Sequence, residues 1–154
     1  MSLKDIIIVS LIFLLDRISK IYVIHLDEIL LNSEIITSKF INIQLIWNEG
    51  VAFGLFAFDD KSFYNLITGF IIIIILTLIY FIRKTKGIEK YSFIVILGGA
   101  LGNVFDRFLY SAVPDFIDIH YQNFHWFIFN VADIFITLGV LLLIFSELLM
   151  KKRN

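Results

Sequence analysis

Between positions 103 and 133 an otherwise apolar chain gathers groups that could do hydrolytic chemistry: Asn103, Asp106, Arg107, Asp115, Asn130 and Asp133. Two carboxyl groups held close cannot both ionise comfortably, so they share a proton and their apparent pKa values separate. The charged member can draw a proton from a water lying between them. The protonated member can polarise a carbonyl and later protonate a leaving amine. Asp115 and Asp133 make the better pair, one on a loop and one opening a helix. Asp106 is the rival, but Asn103 and Arg107 share its helix and could hold it as an ion pair, and an Asp beside an Arg stays ionised. A plainer reading makes Asn130 an N-cap and Asp133 its third-position partner. That accounts for two of these residues and leaves the others unexplained.

Other chemistries have little to stand on. The chain has no Cys, which removes disulfides, thiol nucleophiles and Cys-based metal sites. Ser19 and Lys20 are neighbours on one helix, about 100° apart, and cannot pair directly as a nucleophile and base. The histidines are His25, His120 and His125, with no His-Glu-x-x-His. Asp118, His120 and His125 form the one imaginable ligand set, and a solvated interfacial histidine is the simpler reading, so no metal is expected. No Gly-x-Ser-x-Gly elbow or phosphate-cradling loop is present, and no cofactor is expected. A net charge of −1 with scattered basic residues gives no reason to expect nucleic acid.

The elements that must position the aspartates belong to a membrane protein. Hydrophobic residues make up 59% of 154 and mean hydropathy is +0.89, outside the range of an ordinary soluble domain. The length suits a single membrane-embedded domain, residues 1–154. Apolar runs predict four transmembrane helices over about 5–24, 62–82, 91–108 and 131–150. Lys4 and the apolar run after it could pass for a secretory signal, but charges arrive where a small-residue cleavage site should be. Asp16 and Lys20, four apart, can pair on one helical face, either anchoring the helix end or serving a site. Residues 26–61 alternate at Ile35-Ile36, Phe40-Ile41, Ile43, Leu45 and Trp47, predicting a small β-platform with a turn at Asn48-Glu49-Gly50. Residues 111–129 read as a loop. Gly98, Gly99 and Gly102 suit close helix packing.

Charge sets the orientation. Lys4, Arg83, Lys84, Lys86, Lys90, Lys151, Lys152 and Arg153 share one side of a four-span arrangement, eight of the 13 Lys and Arg. The positive-inside rule makes that side, with both termini, cytoplasmic. At 1.5 Å per residue, Lys90 to Arg107 covers roughly 26 Å and Lys151 back to Asp133 roughly 27 Å, against a hydrocarbon core of about 30 Å. Lys4 to Asp16 covers roughly 18 Å. Asp106, Arg107 and Asp133 therefore share a level at the outer boundary, Asp16 lies a little deeper, and Asp115 can fold back to join them.

At these residues the sequence resembles the lipoprotein signal peptidases, or signal peptidase II, the bacterial membrane aspartyl proteases. Five ordered blocks carry the resemblance: Asp16-x-x-Ser19-Lys20, Asn48-x-Gly50-Val51-Ala52-Phe53-Gly54, Gly98-Gly99-Ala100-Leu101-Gly102-Asn103-x-x-Asp106-Arg107, Asp115-Phe116 and Phe129-Asn130-x-Ala132-Asp133. Intramembrane proteases of the Gly-x-Gly-Asp type fit less well, since that tetrapeptide is absent. The resemblance implies a catalytic pair at Asp115 and Asp133. It implies substrate-binding or dyad-supporting roles for Asn48, Gly54, Asn103, Arg107 and Asn130, with Asp16, Lys20 and Asp106 in support. It further implies a location in the bacterial cytoplasmic (inner) membrane with the active site at the outer face. The implied substrate is a diacylglyceryl-modified prolipoprotein, cut just before its lipidated cysteine, and the implied partners include membrane lipid and cyclic peptide inhibitors such as globomycin. Pro114 and Phe127 depart from the family's usual residues beside the site.

Trp47 and the aromatic residues from Tyr121 to Phe127 suit either a grip on lipid or signal helix or an ordinary interfacial belt. Two other functions compete with hydrolysis. An ion path through Asp16, Asp106 and Asp133 would need polar groups reaching the other side, and Ile71–Thr77 and Leu138–Ser146 hold no ionisable residue. A non-enzymatic assembly subunit would use the same loops to hold a partner protein.

Overall fold

The computed structural model describes residues 1–30, 35–50 and 61–151, with the side chains of 61–65, 150 and 151 excluded. Gly54, the rest of the Val51–Gly54 block, Lys152 and Arg153 lie outside the described residues. In chain order the elements are α1 (Leu3–Ile29), β1 (Ile41–Asn48), α2 (Lys61–Lys84), α3 (Gly87–Tyr110), β2 (Val113–Tyr121), β3 (Phe124–Phe129) and α4 (Val131–Lys151).

Helix α1 starts earlier than its apolar run suggests because Ser2 and Asp5 form a capping box. The Ser2 hydroxyl accepts the Asp5 N–H, and the Ser2 N–H donates to the Asp5 carboxylate at 2.6 Å. It continues past Ile24 to Ile29, where no Gly or Pro interrupts it. The eight residues left between the second and third expected helices, 83–90, shrink to a connection of Thr85-Lys86. Gly87 takes a positive φ of 61° at the turn, and Glu89 suits the first turn of α3.

Helix α3 is central, packing against α1, α2 and α4. Its apolar stretch is 67% buried, against 22% for α2 and 17% for α4. The core joins Val9 of α1, Ile75, Leu78 and Ile82 of α2, and Ile94, Leu97, Ala100 and Val104 of α3. Small residues make the approach possible. A Cβ on Gly99 would strike the Ala132 carbonyl and come within 2.9 Å of Ile136, and one on Gly102 would enter the Asp16 carboxylate. Outward faces are apolar, with Leu11, Ile18, Phe70, Ile73, Leu141 and Phe145 exposed. Around a packed interior, such a girdle suits lipid rather than water.

Three helical stretches among the described residues are long and apolar enough to cross a membrane: Leu66–Lys84, Gly87–Tyr110 and Val131–Leu149. The expected fourth, α1, is not among them, because Asp16, Arg17 and Lys20 interrupt its apolar run. Those charges point inward and are buried, while Leu11, Leu14, Leu15, Ile18 and Tyr22 stay outside.

The sheet corrects the expected platform. It is antiparallel in the order β1-β2-β3, and two of its strands come from the region read as a loop, between α3 and α4. Residues 113–121 and 124–129 hold the β-branched and aromatic residues that strands favour, and Gln122 turns the hairpin at φ 53°. The register pairs Ile46 with Asp115 and Asn48 with Val113, carrying the end of β1 alongside Asp115.

These contacts set a contrast between two glycines. Gly99→Ala should lower the thermal midpoint in detergent, by the equivalent of about 1–3 kcal/mol of overpacking. Gly69→Ala, where an added methyl meets nothing within 4 Å, should be neutral or gain up to about 1 kcal/mol from helix propensity. Equal behaviour of the two variants would contradict the close α3–α4 approach.

Candidate active site

The site grows from the start of α4. Asn130 caps the helix: its Oδ1 accepts the Asp133 N–H at 3.1 Å, and its own N–H donates to Asp133 Oδ2 at 3.2 Å. The plain capping reading is therefore correct as geometry, and it leaves groups to spare. The other end of the Asn130 amide, Nδ2, donates to Asp115 Oδ1 at 2.6 Å. Asp133 Oδ1 accepts from Asn103 Nδ2 at 2.8 Å. Asn130 thus bridges the two aspartates while fixing the helix end.

Asp115 is held from the sheet side as well. Asn48, closing β1, donates Nδ2 to Asp115 Oδ2 at 2.9 Å, while its Oδ1 accepts the Gly50 N–H at 3.0 Å. Arg107 donates to the Gly50 carbonyl at 2.5 Å, tying the turn after β1 to the end of α3. Each amide is oriented by its other contact, so both must present N–H groups to Asp115. Asp115 is 4% exposed, and burial pushes its carboxyl up to about 6. The Asn48 amide opposes that rise, the nearby charge of Asp133 adds to it, and the Asn130 amide opposes it too.

Behind the pair lies a buried ionic cluster. Lys20 Nζ donates to Asp16 Oδ2 at 2.9 Å, Asp106 Oδ2 at 2.6 Å and Asn103 Oδ1 at 2.9 Å, using all three of its N–H groups. Arg17 pairs with Asp106 and lies 3.5 Å from Asp16. Asp16 Oδ1 accepts the Ala132 N–H at 3.0 Å, beside the α4 cap. Two acids face two bases with at most 7% exposure each, a charge-balanced set.

The structure thus brings together Asp16, Lys20, Asn48, Asn103, Asp106, Arg107, Asp115, Asn130 and Asp133. It corrects the partners expected for Asp106. Arg107, its neighbour on α3, points about 100° away and holds Gly50, while Asp106 is held by Arg17 and Lys20 from α1. Arg17 is the residue sequence reasoning missed. Its only signal was a second charge beside Asp16 in an apolar run. Asp118 pairs with His125 at 2.7 Å on the sheet, apart from the bridged aspartates.

Two cavities meet at Asp115. One, of about 520 Å³, is lined by Asp115, Asp133, Phe127, Phe129, Thr137 and Leu138. The other, of about 460 Å³, is lined by Asp115, Trp47, Asn48, Gly50, His125 and Trp126. Two adjoining carboxyl groups at the lip of an apolar cleft, each held by amide donors, can bind and activate a water for attack on a carbonyl.

Comparison with known proteins agrees with this architecture. Two solved structures, each described as a bacterial membrane enzyme determined by the in meso method, superpose closely. One has a TM-score of 0.79 at 29% identity, covering 98% of this chain and 91% of its own; the other has 0.72 at 30%, covering 94% and 92%. A lipoprotein signal peptidase of Pelagibacter ubique (strain HTCC1062) is 47% identical over 150 residues, covering 97% of this chain and 90% of the relative. That of Anaplasma phagocytophilum (strain HZ) is 38% identical over 155 residues, covering 99% and 96%. That of Francisella tularensis subsp. novicida (strain U112) is 43% identical over 121 residues, covering 76% and 75%. The family model described as Signal peptidase (SPase) II matches residues 8–149, and with relatives this similar along nearly its whole length the chain belongs to the signal peptidase II family of membrane peptidases.

Proposed function

We propose that this protein removes the signal peptide from diacylglyceryl-modified prolipoproteins, cutting just before the lipidated cysteine with Asp115 and Asp133 as the catalytic pair. The observation that carries the reading is the Asn130 bridge, which fixes both carboxyl groups at the lip of one apolar cavity. The family resemblance supports the substrate class. The cavity walls of Phe127, Ile134 and Leu138 suit a lipidated, apolar peptide, and the same cleft suits cyclic peptide inhibitors such as globomycin. Each acyl methylene buried in lipid contributes about 0.8 kcal/mol, which concentrates such a substrate at this depth.

The roles divide by surroundings. Asp133 faces the N-terminus of α4 and, through Asn103, the Lys20 ammonium, so we assign it the base. Asp115, on the sheet and raised toward 6, is the acid. Water attacks the scissile carbonyl carbon and gives a proton to Asp133, while Asp115 protonates the carbonyl oxygen. Collapse of the tetrahedral intermediate returns that proton to Asp115, and Asp133 passes its own to the leaving amine. Asn48, Asn103, Arg107 and Asn130 hold this geometry. For Gly54, which lies outside the described residues, we propose the substrate-binding or dyad-supporting role that the resemblance implies.

We also read α1 as a fourth span. Its charges are buried and balanced against Asp106, and its outer face is apolar. That arrangement, with the basic residues at one end, supports a bacterial inner-membrane protein with both termini cytoplasmic and the aspartates at the outer face.

Asp115→Asn and Asp133→Asn should each slow cleavage of a synthetic diacylated lipobox peptide by about 10²–10⁴-fold. Both variants should still insert and purify in detergent, and a chelator should leave the parent rate unchanged. Parental cleavage by either variant would refute the pair. The kcat/KM profile should decline as pH rises through about 6, where Asp115 loses its proton. Asn48→Ala removes a donor that favours the charged carboxylate, so this limb should move to higher pH. A limb that stays put or moves down would take the acid role away from Asp115.

A further inference from the structure

We propose that the pocket at the opposite end of the helices binds the phosphate-bearing headgroup of an anionic glycerophospholipid. The cavity has about 470 Å³ and lies where the chain's first residues (Met1, Asp5), the end of α2 (Arg83) and the start of α3 (Lys86, Lys90, Tyr91) come together. It lies far from the aspartates. Asp5 to Asp16 is roughly 17 Å along α1, and Lys90 to Asp106 roughly 24 Å along α3.

Its charge is unbalanced in one direction. Lys90 is neutralised by Asp5 at 2.8 Å, and Asp5 also accepts the Ser2 N–H. Arg83 and Lys86 line the same cavity with no hydrogen-bond or ion-pair partner among the described residues. Lys84, by contrast, lies over the Tyr80 ring and does not line it. The N-cap of α3 is Lys86, which makes no side-chain cap bond, so the first N–H groups of that helix add positive potential. Glu89, in the first turn, does not line the pocket.

The flanks choose the source of the anion. Leu3, Phe81, Ile88 and Tyr91 are exposed around the basic residues, and the outer faces of α1 and α2 continue apolar from there. A headgroup phosphate seated between Arg83 and Lys86 would leave its acyl chains along these faces, at the level where a bilayer places them. Basic pockets between helix ends suit such lipids, and the cavity is larger than a bare phosphate needs.

The test titrates the purified, delipidated full chain in neutral detergent with phosphatidylglycerol and separately with phosphatidylcholine, with bound lipid read by native mass spectrometry. One phosphatidylglycerol should bind preferentially. Arg83→Gln with Lys86→Gln should weaken it about thirtyfold, the factor for two basic contacts of about 1 kcal/mol each. The charge-keeping pair Arg83→Lys with Lys86→Arg should retain binding. Lys4→Gln with Lys84→Gln, which removes equal charge at the same end but outside the pocket, should change little. The proposal is overturned if phosphatidylcholine binds equally, or if the pocket variant keeps its affinity. It is also overturned if the off-pocket variant loses as much, or if millimolar inorganic phosphate displaces the lipid.

Discussion

A lysine ammonium with no exposure to solvent has to be given acceptors by the protein, and the way Lys20 is supplied organises the rest of the molecule. Its three N–H groups reach Asp16 on its own helix and Asp106 and Asn103 on α3. Arg17 balances the second carboxylate, so the cluster is neutral as a whole. Removing one partner from a buried ionic set costs about 3–5 kcal/mol, because the charge left behind has no water to turn to. That penalty fixes the rotation and depth of α1 against α3. The same cluster reaches α4 twice, through Asp16 to the Ala132 N–H and through Asn103 to Asp133.

The close approach this network requires comes from the glycines of α3. Gly102 leaves room for the Asp16 carboxylate and Gly99 for the Ala132 carbonyl, so charged groups can sit at helix–helix distance without a cavity. Helices alone would bring only one member of the bridged pair, Asp133, to this point. The second arrives on β2, whose pairing with β1 puts Asn48 beside it, and Arg107 ties the turn after β1 back to α3. The sheet is therefore part of the site's framework, made from segments on both sides of the central helices.

Much of this was legible in the sequence, for identifiable reasons. Helix spacing alone paired Asp16 with Lys20, and counting rise per residue put Asp106, Arg107 and Asp133 at one level. Lateral convergence was not legible, because depth says nothing about rotation about a helix axis. For the same reason spacing points Asp106 to the wrong partner. Arg107 is its neighbour in sequence, and the contact with Arg17 crosses from α1. Strands β2 and β3 were hidden by their aromatic residues, since Trp126 and Phe127 suit a membrane interface as well as a strand. The α1 boundary moved because a two-residue capping box outweighs the edge of an apolar run.

Capping the start of α4 and bridging the two aspartates do not compete, and the reason lies in how many hydrogen bonds each group can make. An amide has a donor end and an acceptor end. The cap takes the Asn130 oxygen and leaves its nitrogen for Asp115. A carboxylate has about four acceptor positions, and the cap and Asn103 each take one of those on Asp133. Helix formation therefore sets the side-chain conformations of Asn130 and Asp133, and the remaining lone pairs stay available for water. A site assembled this way is preorganised by the same bonds that begin the helix. Loosening the cap would misalign the aspartates, and moving the aspartates would unwind the cap.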